Sequence, residues 1–205
     1  MVQGLNDSGI HAVRVGEGPT PMLYYASEVL DVDGGIQITG SHNPANYNGF
    51  KMVFQGRPFF GADIQMLGTL ATQGDWVEGI AGSETIDIMD RYVDRLVEDF
   101  QGGSFRIGWD AGNGAAGPVV ERLVKKLPGE HFTLYTDVDG NFPNHHPDPT
   151  EEKNLADLKA LVADKKLDFG LAFDGDGDRG GAINGERRVV WGDPFNSIFA
   201  EPAIK

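Results

Sequence analysis

LAFDGDGDRGGAING, residues 171–185, runs from an apolar segment into three aspartates separated by glycines. Phe169–Phe173 is short, apolar and aromatic-rich, the pattern of a buried strand, and Asn184–Gly185 is a hairpin signal. Between them Asp174, Asp176 and Asp178 occupy every second position. Three carboxylates this close repel one another unless a cation or protonation relieves them. Oxygen ligands favour a hard divalent ion, Mg²⁺ or Ca²⁺, and the glycines let the backbone curl so that all three side chains reach it. The competing reading is an acidic surface turn. A calcium EF-hand loop does not fit, because Arg179 stands where its turn glycine belongs and Gly185 where its bidentate glutamate belongs. Arg179 has the chemistry of a phosphate partner.

Working outward, strand and helix patterns alternate. Phe105–Trp109 and His131–Tyr135 are expected strands, and Pro118–Leu127 is an expected helix. Asn154–Lys165 is a second expected helix with Asn154 as its N-cap, and a last one starts near Asp193–Pro194. Upstream, Pro21–Leu30 and Ile86–Phe100 show helical spacing, and Ile36–Thr39 and Phe50–Phe54 are expected strands. Alternating strands and helices define an α/β layer fold. Gln101–Gly102–Gly103–Ser104 is the expected boundary, dividing the chain into residues 1–100 and 104–205.

Composition narrows the function. Glycine is the outlier at 29 of 205 residues, twice the ordinary usage of about 7%, and is concentrated in a few loops. A formal net charge of −14 argues against a basic nucleic-acid surface, but leaves room for a phosphorylated substrate if a metal or local cations offset the charge. No cysteine is present, so disulfides and thiolate metal sites are excluded. No signal-peptide pattern and no membrane-spanning apolar run is visible. The expectation is a cytoplasmic protein with no nucleic-acid or membrane partner.

ITGSHNPANYNGFKMV, residues 38–53, is a strand–loop–strand pattern with Ser41 in the turn and Lys51 opening the second strand. A lone loop serine is usually a turn residue. The metal loop changes that weighting, because a phosphorylated serine would supply oxygen ligands to the same Mg²⁺. Lys51 is then a candidate base, provided burial or nearby cations lower its pKa. GNGAAG, residues 112–117, matches the dinucleotide fingerprint through Gly112, Gly114 and Gly117, with Asp137 some way downstream. Against that match, Asp110 and Ala111 separate the strand from the first glycine, and the aspartates and Ser41 are left unused. His145–His146 is expected to serve packing rather than zinc, since neighbours in an extended chain point apart.

TGSHNPANYNGFK resembles the phosphoserine loop of the α-D-phosphohexomutases, and DGDGDR resembles their metal loop; VDGNFPNHHPDP and GEGPTP match in the same order. The chain is most similar to the bacterial phosphomannomutase/phosphoglucomutase branch. The resemblance implies a phosphoserine at Ser41, and Mg²⁺ held by Asp174, Asp176, Asp178 and a phosphoryl oxygen on Ser41. Arg179 would lie beside the phosphoserine, and His42 and Lys51 would flank the reacting oxygens, with Lys51 as general base. The reaction implied interconverts hexose 1-phosphate and hexose 6-phosphate (mannose or glucose) through a hexose 1,6-bisphosphate. Members of the family have four domains, so the chain is expected to be a fragment, the first of its two domains lacking its opening strand and the third and fourth missing. Such a fragment is expected to turn over little by itself. A non-catalytic Mg²⁺- or phosphate-binding module, and a dinucleotide-binding domain, are the competing functions.

Overall fold

The structure, a computed structural model, describes residues 1–44, 46–74 and 76–190. The helix expected near Asp193–Pro194 lies outside the described residues. In chain order the elements are α1 (Val2–Asp7), β1 (Ala12–Arg14), α2 (Thr20–Val29), β2 (Gly34–Ile38), β3 (Phe50–Phe54), β4 (Arg57–Phe59), α3 (Ala62–Gln73), β5 (Ser83–Thr85) and α4 (Met89–Glu98). They continue with β6 (Phe105–Asp110), α5 (Gly117–Leu123), β7 (Gly129–Leu134), a 3₁₀ turn (Glu152–Leu155), α6 (Ala156–Lys165), β8 (Phe169–Phe173), β9 (Gly180–Asn184) and β10 (Val189–Val190).

The strand alternation along β6 and β8 builds the second half. Phe169, Leu171 and Phe173 join Ile107 and Trp109 on one face, under Val120 and Leu123 of α5. The opposite face carries Ala172 and Ile183 against Leu155 and Leu158. Gly108 and Gly170 lie beneath α6, where a Cβ at either would meet Leu158 Cδ1 at 3.0 and 2.9 Å, so the small residues let the helix settle close to the sheet. The sheet order is β10–β9–β8–β6–β7; β6 is parallel to β7 and β8, and β9 and β10 run antiparallel. The result is a three-layer α/β/α arrangement, and the aspartates fall at the end of β8, in its connection to β9.

In the first half, β2–β3–β4 is antiparallel and β1–β5 forms a separate parallel pair. α2 packs on β2, with Leu23 over Gly35, where the absent side chain admits the leucine. Met22 and Ala26 of α2, Ile88 before α4, Met89, Tyr92 and Val93 of α4, and Val119 of α5 form one buried cluster. That shared core fixes the start of α2 against the second half.

Three local expectations are corrected. The helix expected from Ile86 begins at Met89, because the Ile86 N–H is drawn to Arg14 O at 2.9 Å, extending the β1–β5 pairing, while Asp87 Oδ1 accepts from Met89 N. Asn154 is not the cap of α6; it lies inside the 3₁₀ turn and donates from Nδ2 to Asp148 O at 2.9 Å. The β9–β10 turn is not a two-residue Asn184–Gly185 turn. It extends to Arg188, with the positive φ of 66° at Arg187 and the Asn184 Oδ1 accepting from the N–H groups of Glu186 and Arg188.

Candidate functional site

The loop after β8 is wound around Asp174. Its Oδ1 accepts the N–H groups of Asp178 and Arg179, both at 3.0 Å, and Gly177 takes a φ of 67° to close the turn. These local bonds leave Oδ2 of Asp174 for Ser41 Oγ at 3.1 Å and Arg179 Nε at 3.4 Å. Asp176 faces the other way: its Oδ2 accepts from Thr20 Oγ1 at 2.8 Å and pairs with Lys51 Nζ at 2.7 Å. Lys51 also pairs with Asp178 Oδ2. Asp174 and Asp176 are 0% and 2% exposed.

Ser41 is held by its own turn. Its φ is 52°, its N–H donates to Thr39 Oγ1 at 2.8 Å, and Asn43 N donates to Gly40 O at 2.9 Å. Such a left-handed conformation is uncommon for a residue with a side chain and lifts the hydroxyl out of the loop. His42 Nδ1 lies 3.2 Å from Ser41 Oγ and accepts from the Arg179 guanidinium, whose Nη2 is itself 3.5 Å from that hydroxyl. Ser41, His42, Lys51, Arg179 and the three aspartates therefore converge from the β2–β3 loop, the start of β3 and the β8–β9 loop. Ser41 and Asn43 also border a cleft of about 1490 Å³ that leaves room for a ligand.

The electrostatics follow from that packing. Burial pushes the Asp174 carboxyl up, and the charges of Asp176 and Asp178 add to this against the stabilising Arg179 amide. Burial acts upward on Asp176 too, but hydrogen bonds from Lys51 and Thr20 outweigh it and hold the carboxyl low. For Lys51, burial pulls the pKa down, yet the bonds to Asp176 and Asp178 more than compensate and raise it. The condition attached to Lys51, a lowered pKa, is thus reversed in this arrangement, because its nearest neighbours are anions and not cations.

Two features support a divalent ion here. One oxygen from each aspartate lies within 4.8 Å of the others. Asp176 Oδ1 is buried and has no hydrogen-bond partner among the described residues, an unsatisfied anion oxygen beside two further carboxylates. An all-oxygen donor set with this charge suits Mg²⁺.

The GNGAAG loop has a different use from the one its pattern offers. The N–H groups of Gly112, Asn113, Gly114, Ala115 and Gly117 all donate within the chain, Ala115 to Gly175 O at 2.9 Å. A Cβ at Gly114 would meet Gly175 O at 2.8 Å, and one at Gly117 would meet Thr136 O at 1.9 Å. Its glycines bring this loop against the aspartate loop, and no free row of amides remains to cradle a pyrophosphate. His145 is a packing residue, its Nε2 lying 3.0 and 3.1 Å from the two oxygens of buried Asp110.

Sequence reasoning assigned no role to Thr20, Gly175 or Asp148. Thr20 stands in GEGPTP, and its hydroxyl ahead of a helix was the available signal. Asp148 is pushed up by burial but lowered overall by hydrogen bonds from Thr150, aided by the nearby Arg179 guanidinium. It thus belongs to the electrostatic surroundings of the Ser41 turn.

The family described as phosphoglucomutase/phosphomannomutase, alpha/beta/alpha domain I, matches residues 1–77, and its domain II matches residues 90–187. The phosphomannomutase/phosphoglucomutase of Pseudomonas aeruginosa is 41% identical over 205 residues, covering 100% of this chain and 44% of that protein. The phosphoglucomutase of Neisseria gonorrhoeae is 41% identical, covering 98% of the chain and 45% of that protein. A crystal structure of a phosphoglucomutase/phosphomannomutase family protein from Burkholderia thailandensis superposes with a TM-score of 0.94 at 42% identity, covering 99% of this chain and 46% of that one. The chain thus spans less than half the length of these relatives.

Proposed function

This chain belongs to the phosphoglucomutase/phosphomannomutase family, and on that premise we propose that it carries the phosphoryl-transfer part of a phosphohexomutase. The observation that carries the proposal is the approach of Ser41 Oγ to Asp174 Oδ2, 3.1 Å apart, with Arg179 beside both. A hydroxyl on a left-handed turn, a guanidinium and three carboxylates form a phosphoryl acceptor with its cations and metal ligands.

In this reading Asp174, Asp176, Asp178 and a phosphoryl oxygen on Ser41 would hold Mg²⁺, which would polarise the phosphoryl group and offset its charge. Arg179 steadies the phosphoryl oxygens by paired hydrogen bonds and His42 lies against the serine hydroxyl. Lys51 is a counter-ion of Asp176 and Asp178 in this arrangement; its proposed role as base for the acceptor hydroxyl requires that a cation held by those carboxylates would release it and lower its pKa. In the first transfer the P–Oγ bond of phosphoserine breaks and a bond forms to the 6-hydroxyl oxygen of a hexose 1-phosphate, whose proton passes to the base. The released Ser41 oxygen takes up a proton. The 1,6-bisphosphate reorients, its P–O1 bond breaks as a new P–Oγ bond forms to Ser41, and the serine proton passes to O1, leaving hexose 6-phosphate. The substrate is a phosphosugar, mannose or glucose, and the setting cytoplasmic. Residues 1–100 and 104–205 are the proposed units, one bearing the serine and the other the metal ligands.

The test is incubation of the dephosphorylated chain with Mg²⁺ and glucose 1,6-bisphosphate, followed by intact mass and peptide mapping. Wild type is expected to gain one phosphoryl group at Ser41, and Ser41→Ala none. A wild-type chain that is folded, binds Mg²⁺ and stays unmodified over long incubation would overturn the reading. Mutase turnover by the 205-residue chain alone is expected to be slight, since substrate binding remote from the reacting atoms contributes to rate and the relatives are more than twice as long.

A further inference from the structure

We propose that Thr20 is a positioning residue for the metal, acting through Asp176. The inference rests on the reading of the three aspartates as a Mg²⁺ site. Asp176 has two oxygens with opposite fates. Oδ2 accepts from Thr20 Oγ1 at 2.8 Å and from Lys51, while Oδ1 is buried and unpartnered among the described residues. The Thr20 hydroxyl therefore fixes which oxygen is committed and which is free to ligate.

The hold is double. Thr20 N–H also donates to the Asp176 carbonyl at 2.8 Å, so one residue grips both the main chain and the side chain of the ligand. Next to it, Pro19 packs on Gly177, where a Cβ would come within 2.9 Å of the proline Cβ. Thr20 itself is 0% exposed, and two residues later Met22 enters the buried cluster with Ile88, Val93 and Val119. The hydroxyl is thus anchored to a rigid core and presented to a loop 156 residues away in sequence.

Residues that hydrogen-bond to metal ligands orient them, and their loss weakens metal binding about 10- to 100-fold. Thr20→Val keeps the shape and removes the hydroxyl, so Asp176 Oδ2 loses that bond and the carboxylate is freer to rotate. Thr20→Ser keeps the hydroxyl and removes only a methyl group.

The experiment is Mg²⁺ calorimetry on the 205-residue chain, with circular dichroism and metal-free thermal melts as the control for folding. Thr20→Val is expected to bind Mg²⁺ about 10- to 100-fold more weakly, and Thr20→Ser within a few fold of wild type. In a cycle with Asp176→Asn, the Thr20→Val loss should shrink, because the interaction it supports has already been altered. Thr20→Ala provides the same readout if the valine variant does not fold. A folded Thr20→Val or Thr20→Ala that binds Mg²⁺ as tightly as wild type overturns the positioning role and leaves the metal site intact. A wild-type chain with no Mg²⁺ binding overturns the metal reading, and the positioning role with it.

Discussion

The carbonyl oxygen of Ser41 lies so close to Gly175 that a Cβ there would sit 2.1 Å from it. The serine turn and the aspartate loop touch through backbone, and only a residue without a side chain permits the contact. Gly175→Ala is expected to force the two loops apart and to cost about 1–3 kcal/mol, the range for overpacking. Ser41 Oγ would then lose Asp174 while the sheets stay intact. Urea melts give the stability change, and Ser41 phosphorylation by glucose 1,6-bisphosphate should drop sharply in the variant.

Ser41 and the aspartates should be thermodynamically coupled through the metal. Three carboxylates and a phosphoserine together carry about −4.5 to −5, so phosphorylation should tighten Mg²⁺ binding by adding both charge and a ligand. Linkage then requires Mg²⁺ to favour the phosphorylated form by the same factor. Calorimetry on phosphorylated, dephosphorylated and Ser41→Ala protein should show the gain in the first alone, and Asp176→Asn should weaken all binding. Equal affinities in the three forms would separate the serine from the metal site.

His145 and Asp110 predict a pH dependence of stability. The hydrogen bond to buried Asp110 raises the His145 pKa above its ordinary value, against the opposing effect of burial. A group raised on folding stabilises fully below its unfolded pKa, about 6.5, and that contribution is lost as pH rises through the folded value. Wild type should therefore lose stability from about pH 6.5 upward, over a range in which His145→Ala stays flatter. Removing the imidazole also leaves Asp110 buried without its cation, at a cost on the order of 3 kcal/mol below pH 6.5. Urea midpoints at several pH values for both proteins check the sign.

Met22→Ala tests whether the shared cluster carries the site. Met22 is 2% exposed and joins α2 to α4 and α5, so truncation should cost about 2–5 kcal/mol. Because Thr20 precedes it by two residues in the first turn of α2, the variant should also bind Mg²⁺ more weakly at temperatures where it remains folded. Unchanged affinity alongside the stability loss would show that the cluster does not position the metal ligands.

What the sequence determined by itself is local and periodic. Phe169–Phe173 alternates apolar sides along a strand, Met22 and Ala26 fall on one helical face, and the aspartates recur between glycines, so strand, helix and clustered aspartate loop are all legible. Elements with weak local patterns were not. β1 and β5 are three residues each and exist through pairing with one another, while α3 has no buried residue and therefore no apolar face aimed at a core. Gln101–Ser104 marks a break in composition, yet α4 before it packs with α5 after it.

The tertiary structure decided which residues act on one another across the chain. Thr20 meets Asp176 over 156 positions and Ser41 meets Asp174 over 133, and no periodicity within a segment encodes such distances. The same holds for charge: Lys51 has its pKa raised rather than lowered because folding brings it to Asp176 and Asp178. Residue type sets what each group can donate, accept or ionise. The neighbours that folding supplies decide whether a serine is a turn residue or a phosphoryl acceptor, and whether a lysine is a base or a counter-ion.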